Sequence, residues 1–138
     1  MANSDTSVQS ATGQTGNKKS ILLIEDDPFL VGIYKEKFQT EGFDILVAED
    51  GLKGLDFAIN RKIDLIILDI LIPKLSGVDL LVRLKQDEKA KNIPVIALTN
   101  LSDFKDEEKV RSYGVKEYLM KSNYTPSQVV EIVRKYLP

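Results

Sequence analysis

The sequence predicts an α/β protein built on a doubly wound parallel sheet. Short apolar runs alternate with amphipathic stretches five times between residues 19 and 138. The run Leu65–Leu68 is unbroken and rich in β-branched residues, which is typical of a strand buried on both faces at the centre of a parallel sheet. Strands that alternate with helices in this way form a single sheet layered between helices.

The strands and helices are delimited by apolar runs and by capping residues. The predicted strands are 21–24, 43–48, 65–68, 93–98 and 115–120. The helices begin at capping or proline signals, namely Asp27-Pro28, Asp50-Gly51, Ser76 with Asp79, Ser102 or Asp103, and Thr125-Pro126 with Gln128. Gly42 and Gly114 are predicted to end the first and fourth helices.

The helices differ in how many apolar residues they can place against the sheet. We expect each helix to face the sheet with its apolar residues. These are Phe29, Leu30, Ile33, Tyr34 and Phe38 in the first helix; Leu52, Leu55, Ala58 and Ile59 in the second; Val78, Leu81 and Val82 in the third; and Val129, Ile132, Val133, Tyr136 and Leu137 in the fifth. The fourth helix offers little beyond Phe104 and Val110, so we expect it to be weakly docked and mobile. Periodicity leaves the strand order open between the flavodoxin-like order 2-1-3-4-5 and a Rossmann-like order.

Residues 1–18 have a different composition from the rest of the chain. They are mostly Ser, Thr, Gln, Gly and Asn, and cannot bury enough apolar surface to become ordered. We expect a flexible N-terminal tail, a linker from a preceding module or a segment added for expression, followed by one domain over 19–138.

Composition excludes several classes of function. A formal net charge of −2 and a sequence pI near 5.2 argue against a nucleic-acid surface. The chain has no cysteine and no histidine, which excludes thiol catalysis, thiolate metal sites and a histidine general base. No apolar stretch approaches the length of a membrane span and no signal peptide is present, so we expect a cytoplasmic protein that does not bind membranes.

Polar side chains follow the predicted strands where a parallel sheet binds its ligands. Glu25-Asp26-Asp27 follow the first strand, Asp69 the third, Thr99-Asn100 the fourth and Lys121-Ser122 the fifth. Each of these residues alone has an ordinary structural interpretation, as a helix cap, a strand end or a surface charge. Their joint occurrence at four strand ends favours a shared site, while Glu49-Asp50 after the second strand are assigned to capping and solvent.

Such a site has the chemistry for phosphate. Converging carboxylates cannot all stay ionised without a cation, and donors that are all oxygen select a hard cation such as Mg²⁺ or Mn²⁺. Lys121 suits a phosphoryl oxygen and Thr99 offers a hydroxyl donor. Asp69 is then the candidate nucleophile, which would attack phosphorus and become an acyl phosphate.

Four motifs together resemble the receiver domain of two-component response regulators over Lys19 to Pro138. They are Ile-Leu-Leu-Ile-Glu-Asp-Asp-Pro at 21–28, Asp-Leu-Ile-Ile-Leu-Asp-Ile-Leu-Ile-Pro-Lys-Leu-Ser-Gly at 64–77, Ala-Leu-Thr at 97–99 and Tyr-Leu-Met-Lys at 118–121. The resemblance implies the flavodoxin-like (βα)5 fold with strand order 2-1-3-4-5. It also implies that the domain is a signalling phosphoacceptor with only Mg²⁺-dependent self-phosphorylation and self-dephosphorylation, and no other enzyme activity.

The resemblance also implies roles for the site residues. Asp69 would be the phosphoacceptor that takes a phosphoryl group from a sensor histidine kinase, a histidine phosphotransfer protein or a small phosphodonor. Asp26 would bind Mg²⁺ directly, Glu25 through water, and Leu71 through its backbone carbonyl, together with Asp69. Lys121 would contact the phosphoryl group.

Thr99 and Tyr118 would form the switch pair of the family, biasing a surface made by the fourth helix, the fifth strand and the fifth helix. The expected partners are the kinase or phosphotransfer protein and a downstream protein, or an output domain of a longer regulator or hybrid kinase. The expected oligomeric state is a monomer or a weak dimer through that surface.

The sequence differs from the usual family pattern in three respects. Ser122 replaces the usual proline after the lysine, so the loop is expected to run differently, and Asn100 replaces a small residue and is expected to narrow access to Asp69. Leu71 and Leu101 are both apolar, and we expect them to disfavour the attacking water and to lengthen the life of the phosphoryl group.

Three other functions are compatible with parts of the sequence. A phosphatase of the haloacid dehalogenase type would need a second carboxylate where Leu71 stands. A degenerate receiver that acts as a phosphorylation-independent interaction module is the alternative that Ser122 and Asn100 favour. Such a module would lack an acidic residue, the acceptor or the lysine, and all are present. A nucleotide- or flavin-binding module would need a glycine-rich loop after the first strand, which the sequence does not have.

Overall fold

The computed structural model describes residues 18–137, without the side chain of Phe104. The predicted N-terminal tail therefore lies outside the described residues, apart from Lys18. The strands are β1 Ser20–Ile24, β2 Asp44–Ala48, β3 Leu65–Leu68, β4 Val95–Thr99 and β5 Glu117–Met120. All pair in parallel in the order β2-β1-β3-β4-β5, which confirms the predicted fold and selects the flavodoxin-like order.

The helices are α1 Pro28–Thr40, α2 Gly51–Asn60, α3 Gly77–Gln86, α4 Phe104–Ser112 and α5 Pro126–Arg134, and a 3₁₀ turn spans Lys121–Asn123. Their N-caps are Asp27, Asp50, Ser76, Asp103 and Thr125, as predicted. β4 and β5 each start two residues later than predicted, because Pro94 and Lys116 are still in the connecting loops. Among residues 18–137, no helix is both long enough and apolar enough to cross a lipid bilayer.

The sheet separates two apolar layers. Alternate residues of the central strands face α1 and α5, where they pack with Tyr34, Phe38 and Val129. The intervening residues face the layer that holds Leu81 of α3 and Val110 of α4. Because a strand has a side-chain period of two, the polar residues that continue each strand are divided between the same two sides.

Several predicted core positions differ in the structure. Phe29 and Leu52 are exposed, because each lies in the first turn of its helix, beyond the end of the strands. In α3 the prediction of Leu81 is confirmed, whereas Leu80 and Leu84 are buried more fully than Val78 and Val82. In α4, Val110 is the one buried residue among those whose side chains are described, which agrees with the thin apolar face; the mobility of this helix stays a prediction.

Close backbone approach fixes the start of α2 against the β3–α3 loop. The Gly51 N–H donates to the Pro73 carbonyl at 3.1 Å, and a Cβ at Gly51 would lie 2.0 Å from the carbonyl oxygen of Leu75. The same loop contains Lys74 at φ 71°, a left-handed conformation that a lysine rarely adopts, with its amine 3.7 Å from the Asp50 carboxylate. This contact ties the loop after Asp69 to the neighbouring helix.

We predict opposite effects for alanine at two helical glycines. Gly51→Ala forces Cβ into the Leu75 backbone and lowers the free energy of unfolding by about 2 kcal/mol. Gly32→Ala, in the middle of α1 with nothing within 4 Å of the added Cβ, raises it by about 0.5 to 1 kcal/mol. Urea denaturation of both variants measures the difference, and a Gly51→Ala protein as stable as the wild type would contradict the predicted clash.

Candidate functional site

Asp69 lies directly after β3 at the point where the chain order of the sheet reverses. The β1–β3 register aligns Ile24 with Leu68, so the residues after these two strands are neighbours at the carboxyl edge. The Asp69 N–H donates to the Ile24 carbonyl at 3.0 Å, and its Oδ1 accepts the Leu71 N–H at 3.0 Å. Its side chain is only 6% exposed. Asp69 is therefore fixed in a crevice of the kind where open parallel sheets bind ligands.

Glu25 is the most deeply buried acid of the site. It follows β1, its N–H donates to the Ala48 carbonyl at 3.0 Å, and it is 2% exposed. The Asp27 N–H donates to its Oε2 at 3.1 Å, in the same turn in which the Asp27 side chain caps α1. The cap of α1 and the orientation of Glu25 are thus set by one short segment.

Asp26 completes a cluster of three carboxylates. One oxygen from each of Glu25, Asp26 and Asp69 lies within 4.8 Å of the other two. Asp26 is exposed whereas the other two acids are buried, so the cluster opens to solvent on its side. Three oxygen donors at this spacing fit a hard divalent cation such as Mg²⁺ or Mn²⁺.

Lys121 lies between the two buried acids. Its Nζ is 2.7 Å from Oε1 of Glu25 and donates to Oδ2 of Asp69 at 2.6 Å. Lys121 opens the 3₁₀ turn that follows β5, so its side chain enters the crevice from the far end of the sheet. The ion pairs are little screened because the lysine side chain is only 12% exposed.

The charges of the site are only partly balanced. Burial lowers the pKa of Lys121, but the hydrogen bonds with Asp69 and Glu25 outweigh burial, and the net pKa is raised. Burial raises the pKa of Glu25, although Lys121 and the Asp27 N–H oppose this. The Lys121 ammonium, shared by two carboxylates, therefore stays protonated. Its attraction does not fully offset the rise in the pKa of Glu25 that burial causes. With Asp26 included, the acids outnumber the lysine by two.

The Thr99 and Tyr118 side chains both hydrogen-bond with the backbone of Leu101. The Leu101 N–H donates to the Thr99 Oγ1 at 3.2 Å, and the Tyr118 hydroxyl donates to the Leu101 carbonyl. The guanidinium of Arg111 in α4 lies 5.8 Å from the centre of the Tyr118 ring. A continuous set of contacts therefore leads from the end of β4 to α4.

The structure brings together Glu25, Asp26, Asp69 and Lys121 as the sequence pattern predicted, and it adds a direct Glu25–Lys121 ion pair that the sequence did not indicate. Leu71 contacts Asp69 through its N–H, while its side chain is 55% exposed. The Leu71 carbonyl is expected to bind the metal ion, and this role stays a prediction.

The other predicted positions lie outside the cluster. Asp50 caps α2, with Oδ1 accepting the Lys53 N–H at 2.8 Å, which agrees with its assignment to capping. Ser122 lies in the 3₁₀ turn and Asn100 is exposed at the end of β4. Their expected effects on the loop and on access to Asp69 stay predictions.

A 2-1-3-4-5 sheet that holds acids and a lysine at its switch point defines a signalling protein of the receiver type. The sequence model of the response regulator receiver domain matches residues 21–134, and the chain belongs to that family, whose members act in two-component signalling.

Relatives and solved structures agree with this assignment. The polar-differentiation response regulator DivK of Brucella anthropi is 32% identical over 119 residues, which cover 86% of this chain and 96% of DivK. A CheY-like receiver domain protein from Methanospirillum hungatei superposes with a TM-score of 0.80 at 23% identity, covering 86% of this chain and 93% of that one. The receiver domain of the sensor histidine kinase PA1611 from Pseudomonas aeruginosa, with a magnesium ion in its active-site cleft, has a TM-score of 0.79 at 24% identity, covering 86% and 97%. These two structures establish likeness of fold.

We predict that Lys121→Met strongly destabilises the protein. Its removal leaves two buried carboxylates without a cation, so the free energy of unfolding at pH 7 falls by about 3 kcal/mol. Without Lys121, burial raises the pKa of Glu25 further, so Glu25 holds its proton more tightly in the folded than in the unfolded state. The deficit therefore shrinks as the pH falls from 7 toward the ordinary glutamate pKa of 4.5.

The matched control is Lys62→Met, which removes an exposed lysine 3.4 Å from Asp64 and is expected to change stability by less than about 0.5 kcal/mol. Denaturation of both variants at several pH values tests the difference. Equal losses in the two variants, or a Lys121→Met deficit that grows toward acid, would show that the central ion pairs do not stabilise the fold.

Proposed function

We propose that this domain is a phosphoacceptor in which Asp69 takes a phosphoryl group from a phosphohistidine of a sensor histidine kinase or of a histidine phosphotransfer protein. The observation that carries the proposal is the placement of Asp69, which pairs with Lys121 at 2.6 Å and lies within 4.8 Å of the Glu25 and Asp26 oxygens. Membership of the receiver family supports the same role.

The proposed transfer is a displacement at phosphorus. A carboxylate oxygen of Asp69 forms a bond to phosphorus while the bond from phosphorus to the donor imidazole nitrogen breaks, and the electron pair leaves with that nitrogen. The Leu71 N–H orients the carboxylate by donating to Oδ1. Lys121 already contacts Oδ2, so a short movement brings its ammonium onto a phosphoryl oxygen. Positioning and charge stabilisation supply most of the rate in such transfers.

The residues present fit a magnesium ion. Glu25, Asp26, Asp69 and the carbonyl of Leu71 would hold it, with Mn²⁺ as an alternative. When bound, it supplies positive charge that offsets the negative charge of the acids and of the phosphoryl oxygens. The two carboxylates in excess over Lys121 are the feature of this chain that favours a divalent cation.

The same contacts offer a route by which phosphorylation of Asp69 changes the surface of the domain. In the proposed response, Thr99 turns its hydroxyl toward the phosphoryl group and changes its hydrogen bond with the Leu101 N–H. Leu101 also accepts from Tyr118, whose ring packs near Arg111 of α4. The change thus reaches the surface of α4, β5 and α5, where a downstream partner or a second copy of the domain would bind.

The alternative, a phosphorylation-independent interaction module, receives no support from the site. Such a module has no need of an acceptor, two further acids and a lysine converging in one buried crevice. The substitutions that suggested it, Ser122 and Asn100, lie outside the cluster. The experiment below separates the two functions.

We predict that the protein gains the mass of one phosphoryl group when it is incubated with acetyl phosphate and Mg²⁺. Asp69→Asn removes the nucleophile and abolishes the gain. Asp56→Asn, which changes an exposed α2 carboxylate that accepts a hydrogen bond from Asn60, keeps the gain. Intact-mass spectrometry measures all three proteins. A wild type that gains no mass, or an Asp69→Asn protein that gains as much mass as the wild type, would contradict the proposed acceptor role.

We also predict that Leu71 and Leu101 slow hydrolysis of the acyl phosphate. The Leu71 side chain is exposed beside Asp69, and Leu101 is half-buried two residues after Thr99, so both can exclude water from the phosphoryl group. Replacing Leu71 by Asn and Leu101 by Gln together should shorten the half-life of the phosphorylated protein. Replacing exposed Leu52 by Asn is the control, and an unchanged half-life in the double variant would refute the prediction.

A further inference from the structure

Tyr34 occupies an unusual position in the layer beneath the acidic cluster. It is the seventh residue of α1, is only 3% exposed and belongs to the apolar layer formed by α1, α5 and the central strands. Leu23 and Ile67 of this layer are each two residues before an acid of the site, so Glu25 and Asp69 continue their side of the sheet. The sequence pattern treats Tyr34 as one more core residue, yet it brings a hydroxyl group into that layer.

The geometry of α1 directs the Tyr34 side chain toward the site. Side chains on a helix lean toward its N-terminus, and α1 begins at Pro28, at the carboxyl edge of the sheet. The phenol therefore extends toward the edge where Glu25 and Lys121 lie. Burial raises the pKa of Tyr34; the Lys121 ammonium opposes this rise and the Glu25 carboxylate adds to it, which agrees with this direction of the phenol.

The hydroxyl also lacks an evident structural role. Within residues 18–137, no hydrogen bond joins it to another side chain or to the backbone. Tyr118 and Tyr136, by contrast, both donate to acceptors. A hydroxyl carried by a residue that is only 3% exposed normally has a partner, because leaving it unpaired is costly and a phenylalanine would fill the same space.

The proposed phosphoryl transfer creates a need for such a group. Glu25 is 2% exposed and has two donors, the Lys121 ammonium and the Asp27 N–H. When Lys121 moves onto a phosphoryl oxygen, the Oε1 of Glu25 loses the ammonium with which it pairs. We propose that Tyr34 is a positioning residue, whose hydroxyl donates to Glu25 as Lys121 turns to the phosphoryl group. The inference rests on the proposed phosphoacceptor function and adds a residue that nothing in the sequence motifs assigns.

The test compares the wild type with Tyr34→Phe, using beryllofluoride with Mg²⁺ as a mimic of the phosphoryl group. The variant should bind beryllofluoride about fivefold more weakly, the equivalent of one ordinary hydrogen bond. Its affinity for Mg²⁺ alone should not change, because Lys121 then still pairs with Glu25. Its melting temperature should be equal to that of the wild type or higher, since no bond of the hydroxyl is lost.

The matched control is Tyr136→Phe, at the other end of the sheet, where the hydroxyl donates to the Glu117 carboxylate. This variant should melt at a lower temperature and bind beryllofluoride like the wild type. Equal beryllofluoride affinity in Tyr34→Phe and wild type would overturn the role of Tyr34 and leave the acceptor function standing. A loss of Mg²⁺ affinity and melting temperature together would also overturn it, as a purely structural effect. A wild type that binds no beryllofluoride would overturn both proposals.

Discussion

The sharing of one ammonium group between two buried carboxylates is the constraint on which the site depends. Glu25 and Asp69 come from neighbouring strands, and each would be costly to bury alone. Lys121 lies within 2.7 Å of both, which makes their burial possible without neutralising them. Asp26, at the open side, leaves the cluster negative overall, so the folded chain holds a site that is stable yet still favours further positive charge.

The strand register makes this arrangement possible. Because β1 and β3 are neighbours and end in the same row, the residue after each strand is brought to the same crevice. β5 is two strands away from β3, and only a long side chain that starts at its end can reach the acids. A lysine meets this requirement, and the 3₁₀ turn after β5 directs it inward. The chemistry of the site is therefore a consequence of strand order and side-chain length.

Much of this was predictable from sequence because it depends on local patterns. The buried run Leu65–Leu68, the helix caps and the acids at the strand ends are all visible in the sequence, and the structure brings those acids together. The strand order followed only from the family resemblance, since periodicity does not encode which strands are neighbours. Helical periodicity also misplaced Phe29 and Leu52, because it does not show where the underlying sheet ends. The Glu25–Lys121 pair could not be found in this way, because it depends on side-chain conformations across the sheet.

The two apolar layers have a consequence for how such a protein can diverge. Glu25 and Asp69 continue the side of the sheet that packs on α1 and α5, while Thr99 and Tyr118 belong to the side that packs on α3 and α4. A substitution beside Tyr34 and a substitution beside Tyr118 therefore repack different layers of the molecule. Evolution can thus alter the packing beneath the acids and the packing beneath Thr99 and Tyr118 one at a time.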